Sequence, residues 1–236
     1  MILFSYNFHH QKTQDFLFYC RHYGYKISLV VAANFRDLGY PKKRIRSSLR
    51  TIGLIHPEEI CKELGVDYLV MDHNSPDLPE ILTSLDPEVG LVSGARILSS
   101  AVIENFSKGI VNFHPGLIPE ARGLDTPQWC VYDDLPLGVT SHFIDSKVDA
   151  GLIIEKKSLP EYPDDTLVDI AVRLYQGQLE MFKSTMDKTL NDKLESFSPV
   201  PKKRKAPYSV FPIELEDELE RKIATRFPGS SQPAGE

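Results

Sequence analysis

The chain has 236 residues, 42% hydrophobic and 25% charged, enough for one globular core with an appendage. Lys+Arg is 27 against Asp+Glu 33, a net charge of −6, which argues against a sequence-independent nucleic-acid binder because that needs a dominant basic face. The apolar start breaks off at Asn7-Phe8-His9-His10 without a basic leader or cleavage site, so no secretory signal is expected, and no stretch approaches the ~20 apolar residues that span a bilayer.

In chain order, residues 2–6 read as a buried first strand. Residues 11–22 follow as a helix with Phe16, Leu17, Phe18 and Cys20, stopped near Gly24. Residues 26–31 are a second strand rich in β-branched side chains. Residues 35–51 are polar, basic and aperiodic, a long loop. A helix over 56–64 closes at Gly65, and 67–71 is a third strand. Residues 75–85 read as a helix with Ser75 at the N-cap and Pro76 at its first position. A fourth strand covers 90–94, Ser99 or Ser100 caps a helix reaching Phe106, and 109–113 is a fifth strand. Short apolar strands alternating with helices predict an α/β fold: a doubly wound, mostly parallel sheet with helices on both faces, Rossmann-like.

After His114 the pattern changes. Residues 138–145 and 152–155 read as two strands joined at Asp149-Ala150-Gly151, an antiparallel hairpin added to one edge. Residues 166–190 read as one long amphipathic helix. Residues 196–209 carry prolines and Lys202-Lys203-Arg204-Lys205, which read as a solvated linker. A helix over 214–227 is supported by Asp217–Arg221 and Glu218–Lys222 at i, i+4, and 228–236 reads as a disordered tail. The expected division is a catalytic domain over 1–195 and, over 196–236, a Pro/Lys-rich linker, an amphipathic helix and the tail. Cys20, Cys61 and Cys130 lack Cys-x-x-Cys spacing, which points to reduced, buried thiols in a cytoplasm.

The segment most informative about chemistry is Asn112-Phe113-His114-Pro115-Gly116-Leu117-Ile118-Pro119. Residues i and i+2 of a strand share a face, so Asn112 and His114 point together near the carboxyl end of a strand, the edge where open α/β sheets bind ligands. Pro115 and Gly116 end the strand at once, which places the pair at an exposed rim. The amide is suited to donate to a developing oxyanion and the imidazole to carry protons. Taken alone, a satisfied structural histidine is the stronger reading of Asn-x-His.

The surrounding chain changes that. Ser93-Gly94-Ala95-Arg96-Ile97-Leu98-Ser99 lies upstream; Arg122-Gly123, Gly138-Val139-Thr140-Ser141-His142-Phe143 and Val148-Asp149-Ala150-Gly151 follow in order. This combination resembles the folate-dependent formyltransferase family, which includes glycinamide ribonucleotide formyltransferase, the N-terminal domain of methionyl-tRNA formyltransferase and the sugar-nucleotide N-formyltransferases. The resemblance covers about residues 90–155. It implies that Asn112 stabilises the oxyanion, that His114 handles protons and that Asp149 orients the histidine. It implies N10-formyltetrahydrofolate as co-substrate, with the pterin between Arg96, Ile97 and Leu98 and the loop holding Asp145 and Val148. No metal is expected: adjacent His9 and His10 diverge and no further ligand pattern follows. His142 reads as structural and Trp129 as core.

The acceptor is read by exclusion. Purine-pathway members of the family carry a glycine-containing phosphate cradle after the first strand, where this chain has Ser5-Tyr6-Asn7-Phe8-His9-His10. The tRNA-directed members carry a further domain of roughly a hundred residues, against about forty here after the core. Gly116 stands where Ser is usual. A nucleotide-linked amino sugar is left as the expected small-molecule partner, with Asn7, His9, His10 and Arg122 on its side, no nucleic acid or membrane, and a homodimer compatible with the sequence. Formylation of glycinamide ribonucleotide or aminoacyl-tRNA, hydrolysis of formyl-folate, and a non-catalytic folate-binding paralogue stay as alternatives.

Overall fold

The computed structural model describes residues 1–48, 51–145, 151–192, 196–201 and 206–231. Five strands run parallel: β1 (Ile2–Tyr6), β2 (Leu29–Ala33), β3 (Asp67–Val70), β4 (Val89–Val92) and β5 (Gly109–His114). Three more continue the sheet antiparallel: β6 (Gly138–Phe143), β7 (Leu152–Ser158) and β8 (Ser198–Pro199). The order is β3-β2-β1-β4-β5-β6-β7-β8, the expected mostly parallel α/β sheet with an antiparallel addition. Every residue of β2 and β6 is buried, as both faces of the central sheet are covered.

Strand periodicity sorts the side chains into two cores. Leu3, Val30, Leu91, Val111, Phe113 and Val139 face α1 (Gln11–Tyr23), α2 (Pro57–Leu64), α5 (Thr126–Tyr132), α6 (Leu167–Glu180) and α7 (Phe182–Asn191). Ile2, Phe4, Leu29, Val31 and Ile110 face the thinner layer of α3 (Leu78–Leu85) and α4 (Ser100–Ile103). The thin layer leaves the far end of its face open to function.

Several expected boundaries differ. α3 begins at Leu78 after Asp77, with Pro79 in its first turn, because a tight turn at Asp72 binds Asn74 and Ser75 first. α4 stops at Ile103, short of Phe106. There the Asn105 and Phe106 amides bond three residues back, and the Asn105 side chain takes the Ala101 carbonyl. The helix expected over 166–190 is two. Thr166 and Asp169 close a capping box at the start of α6; Met181 then breaks the run, and α7 turns so that Ser184 and Lys188 reach Glu155 on β7.

The C-terminal segment is not detached. After a single 3-10 turn at Ile213–Leu215, α8 (Glu216–Arg226) lies on α5, and Phe211, Leu219 and Phe227 join the larger core. Pro228–Ser231 form another 3-10 turn where a tail was expected. Lys202 to Lys205 and residues 232–236 lie outside the described residues. Among the described residues no helix is long and apolar enough to cross a membrane.

Candidate active site

Asn112 and His114 sit on the α3–α4 face of β5, beyond Ile110, where that helix layer ends. Val92 pairs with Asn112, so the chain leaving β4 at Ser93 emerges beside it. Asn112 is half-buried. His114, expected at an exposed rim, is only 4% exposed. The correction has a local cause: the chain after Pro115 does not lead away but folds back over the histidine. The Thr140 hydroxyl donates to the Gly116 carbonyl (2.8 Å) and accepts from the Ile118 amide (3.1 Å), and the Ala121 amide donates to Leu117 (2.9 Å). The turn contains a cis Ile118–Pro119 bond. Its far end delivers the Ala121 carbonyl to His114 Nε2 at 2.6 Å. A carbonyl only accepts, so Nε2 carries a proton.

Asn112 is oriented by a residue the sequence reading left as structural. His142 lies opposite it on β6, fully buried, with its Nε2 3.2 Å from Asn112 Nδ2. His142 Nδ1 lies 3.0 Å from the Phe143 carbonyl and must donate to it, which leaves Nε2 as an acceptor. The amide atom facing it is therefore the nitrogen. One Asn112 N–H is thereby fixed on His142, and the amide has a second N–H to offer. The rings of His114 and His142 stand 6.5 Å apart. Thr140 and His142 stand in the 138–143 segment that carries the family resemblance, but their part as a supporting set with the Ala121 carbonyl was missed, because a segment motif does not say which of its buried polar residues touches which neighbour.

The segment 94–98 leaves β4 without regular structure. Asn74 pins it from behind, donating to the Ile97 carbonyl and accepting from the Ser99 amide, both at 2.8 Å. Ile97 is 62% exposed, Leu98 is buried, and Arg96 pairs with Asp72 at 3.4 Å. Asp145 leaves β6 next to Ile144, whose amide bonds the Ile110 carbonyl, two residues back along β5 from Asn112. Val148 and Asp149 lie outside the described residues.

At the end of β1 the polar residues are already engaged. Asn7 donates to Asn34 and accepts from the Tyr68 hydroxyl, both at 2.8 Å. Ser93 Oγ donates to Phe4 O (3.0 Å), which makes Thr13 donate to Ser93 (3.0 Å) and His10 Nδ1 donate to Thr13 (2.8 Å). Burial, with Lys12 beside it, pushes the His10 pKa down to about 4, so the ring is neutral near pH 7. His9 is exposed, and its ring stands 5.5 Å from that of His56. Arg122 is enclosed, and its carbonyl accepts from the Tyr208 amide at 2.8 Å. Tyr6 and Phe8 stack at 5.0 Å, and the ring of exposed Phe35 meets Phe8 edge-on at 6.0 Å. Among the described residues no group of three or more His, Cys, Asp or Glu is placed to hold a metal ion.

Comparison with known proteins gives three kinds of relative. Residues 56–186 match the Formyl transferase family. A methionyl-tRNA formyltransferase from Trichlorobacter lovleyi is 29% identical over 133 residues, 53% of this chain and 42% of that protein. The matched region thus spans less than half the length of that relative. Among solved structures, glycinamide ribonucleotide transformylase 1 from Symbiobacterium toebii superposes with a TM-score of 0.60 at 21% identity, over 78% of this chain and 84% of that one. The formyltransferase PseJ from Anoxybacillus kamchatkensis, solved with UDP-4,6-dideoxy-4-formamido-L-AltNAc and tetrahydrofolate, superposes with a TM-score of 0.54 at 22% identity, over 74% and 93%. At these identities the structural matches establish the fold.

Proposed function

The chain belongs to the formyl transferase family, and from that premise we propose that it moves a formyl group from N10-formyltetrahydrofolate to the primary amine of a nucleotide-linked amino sugar. One observation carries the transfer: Asn112 and His114 share a face of β5, each with one nitrogen fixed by a buried neighbour. Asn112 is assigned to the oxyanion through its second N–H, in place before charge develops. His114 is assigned to proton handling from Nδ1 while Nε2–H stays on Ala121. The resemblance adds Asp149 as the group that orients the histidine.

The donor fits the chain beside this pair. Segment 94–98 offers peptide groups outside any strand or helix, held in place by Asn74, with the exposed Ile97 as an apolar wall. Arg96, Ile97 and Leu98 are assigned to the pterin, with Asp145 and Val148 closing the site. The bound folate supplies the formyl carbon; the chain supplies orientation, an oxyanion donor and a proton carrier. The division into a catalytic unit over 1–195 and an extension over 196–236 is part of the same reading. The cytoplasm is assigned as its place, in keeping with Cys20, Cys61 and Cys130, free thiols each pushed up to about 12 by burial.

The sugar-nucleotide acceptor is supported by the end of β1. A compact phosphate needs several converging donors, but here Asn7 is engaged, His10 is neutral and rings fill the turn. Phe8 and Phe35 offer a surface on which a planar base can stack. Asn7, His9, His10 and Arg122 are assigned to the acceptor side as shape and hydrogen-bonding groups. Formylation of aminoacyl-tRNA is the second reading, favoured by the methionyl-tRNA relative. Incubation with formyl-tetrahydrofolate and separate pools of nucleotide-linked amino sugars, glycinamide ribonucleotide and charged tRNA distinguishes them. A mass gain of one formyl group on an amino sugar is expected; efficient formylation of another pool alone overturns this acceptor.

A further inference from the structure

We propose that the C-terminal strap 208–211 is a positioning element for His114, acting through the Ala121–Asp125 loop. The inference rests on the reading of His114 as the proton carrier. His114 takes its tautomer from the Ala121 carbonyl, so whatever fixes that carbonyl fixes which ring nitrogen is basic. Two glycines admit this arrangement. At Gly116 a Cβ would lie 2.6 Å from the Ala121 oxygen and 2.7 Å from a Thr126 methyl, so the absence of a side chain lets the carbonyl reach the histidine. At Gly123, where φ is +104°, a Cβ would lie 2.6 Å from the Tyr208 nitrogen, so here the loop backbone meets the strap backbone directly.

The strap holds the loop on both sides of Gly123. The Tyr208 amide donates to Arg122 (2.8 Å), the Leu124 amide donates to Tyr208 (3.0 Å), and Gly123 and Tyr208 form an isolated parallel bridge. Farther on, the Phe211 amide donates to the Asp125 carboxylate at 2.7 Å, and Lys43 pairs with the same carboxylate. The strap is itself fixed. Tyr208 stacks on Trp129 at 4.7 Å, its hydroxyl donates to Asp133, and the Trp129 indole donates to the Ser209 carbonyl at 2.8 Å. Arg122 follows Ala121 directly, so one peptide separates the strap's first hydrogen bond from the carbonyl that His114 meets. Trp129, read from sequence as core, is the post that this strap grips.

Histidine labelled with nitrogen-15 provides the test, with the His114 signals assigned by their loss in His114→Gln. In the unaltered protein His114 is expected as the Nε2–H tautomer. Tyr208→Ala weakens the strap's grip on Trp129, and Gly123→Ala pushes the strap off from the other side without removing any of its side chains. Both are expected to give a mixed His114 tautomer and a kcat lower by about tenfold, with KM for both substrates within about twofold, the scale of one net hydrogen bond lost from the reacting geometry. Tyr208→Phe keeps the stack and both backbone bonds, and is expected to restore the unaltered tautomer and rate. The inference is overturned if Tyr208→Ala and Gly123→Ala leave the His114 tautomer unchanged, or if any loss of rate is accounted for by the fraction of unfolded protein. His114→Gln itself tests the reading beneath: full activity there removes His114 from the reaction, while the tautomer measurement still decides whether the strap controls it.

Discussion

At the end of β1, Asn7 and His10 stand in closed hydrogen-bond networks, and the imidazole is neutral. At the end of β5, His142 holds one nitrogen of the Asn112 amide and leaves its second N–H to be directed, while the Ala121 carbonyl fixes His114 through Nε2. Both strand ends lie on one parallel sheet and both are rich in polar residues. The difference teaches that a polar residue near a sheet's carboxyl edge is a candidate for chemistry only if its supporting contacts leave a group directed at the cleft. Side chains at β1 are expected to shape binding, and those at β5 to set the rate.

The comparison is sharpest where the effect is largest. His114→Ala and Asn112→Ala are each expected to reduce kcat by at least about 100-fold in steady-state formyl transfer, the usual scale for an acid–base group or an oxyanion donor. His114→Ala also leaves the buried Ala121 carbonyl without that donor, so a loss of about 1–3 kcal/mol in denaturant unfolding is expected beside the kinetic effect. Near-normal rates in either variant would erase the distinction between the two ends.

A smaller effect is expected one step back from the reacting groups. His142→Ala frees the Asn112 amide to rotate, and kcat is expected to fall by about tenfold, the scale of one net hydrogen bond. Equal losses in His142→Ala and Asn112→Ala would make the histidine more than an orienting group. At the β1 end, Asn7→Ala is expected to raise the acceptor KM about threefold with kcat unchanged, since a neutral hydrogen bond is worth roughly a kcal/mol. A fall in kcat there would show that both ends set the rate.

His10 offers a comparison in stability alone. Its folded pKa of about 4 lies below the 6.5 of an ordinary histidine, so its contribution is present above pH 6.5 and is lost as pH falls toward 4. His73 is depressed for the same reason, burial, and acts in the same direction. His10→Gln is therefore expected to flatten part of the stability–pH curve between those limits, read by chemical denaturation at a series of pH values. An unchanged slope would mean that folding leaves the His10 pKa where it is in the unfolded chain, so that burial does not hold the ring neutral.

The fold was legible because hydrophobic periodicity depends on local sequence: the apolar runs at 2–6, 26–31 and 109–113 announce strands, observed at Ile2–Tyr6, Leu29–Ala33 and Gly109–His114. The pairing of Asn112 with His114 was legible for the same reason, since period two puts them on one face. The burial of His114 was not, because it depends on a loop that returns over the strand through Thr140, 26 positions from His114 in the chain. The role of His142 was hidden because a buried polar residue on a central strand looks the same whether it satisfies itself or aims a neighbour. The break at Met181 was hidden because both halves keep a helical apolar pattern. The C-terminal strap was read as linker because its proline and lysine composition describes residues 196–205, whereas Tyr208 and Phe211 make the contacts.

The most direct test separates chemistry from binding at β5. A single-turnover experiment with donor pre-bound to wild-type and Asn112→Ala protein reads the transfer step alone, and a parallel titration reads donor affinity. The expected result is a transfer rate at least about 100-fold slower with donor affinity unchanged, because the amide acts on charge that develops only during transfer. An unaltered transfer rate, or a loss explained wholly by weaker donor binding, would contradict the assignment of the β5 end to the chemical step.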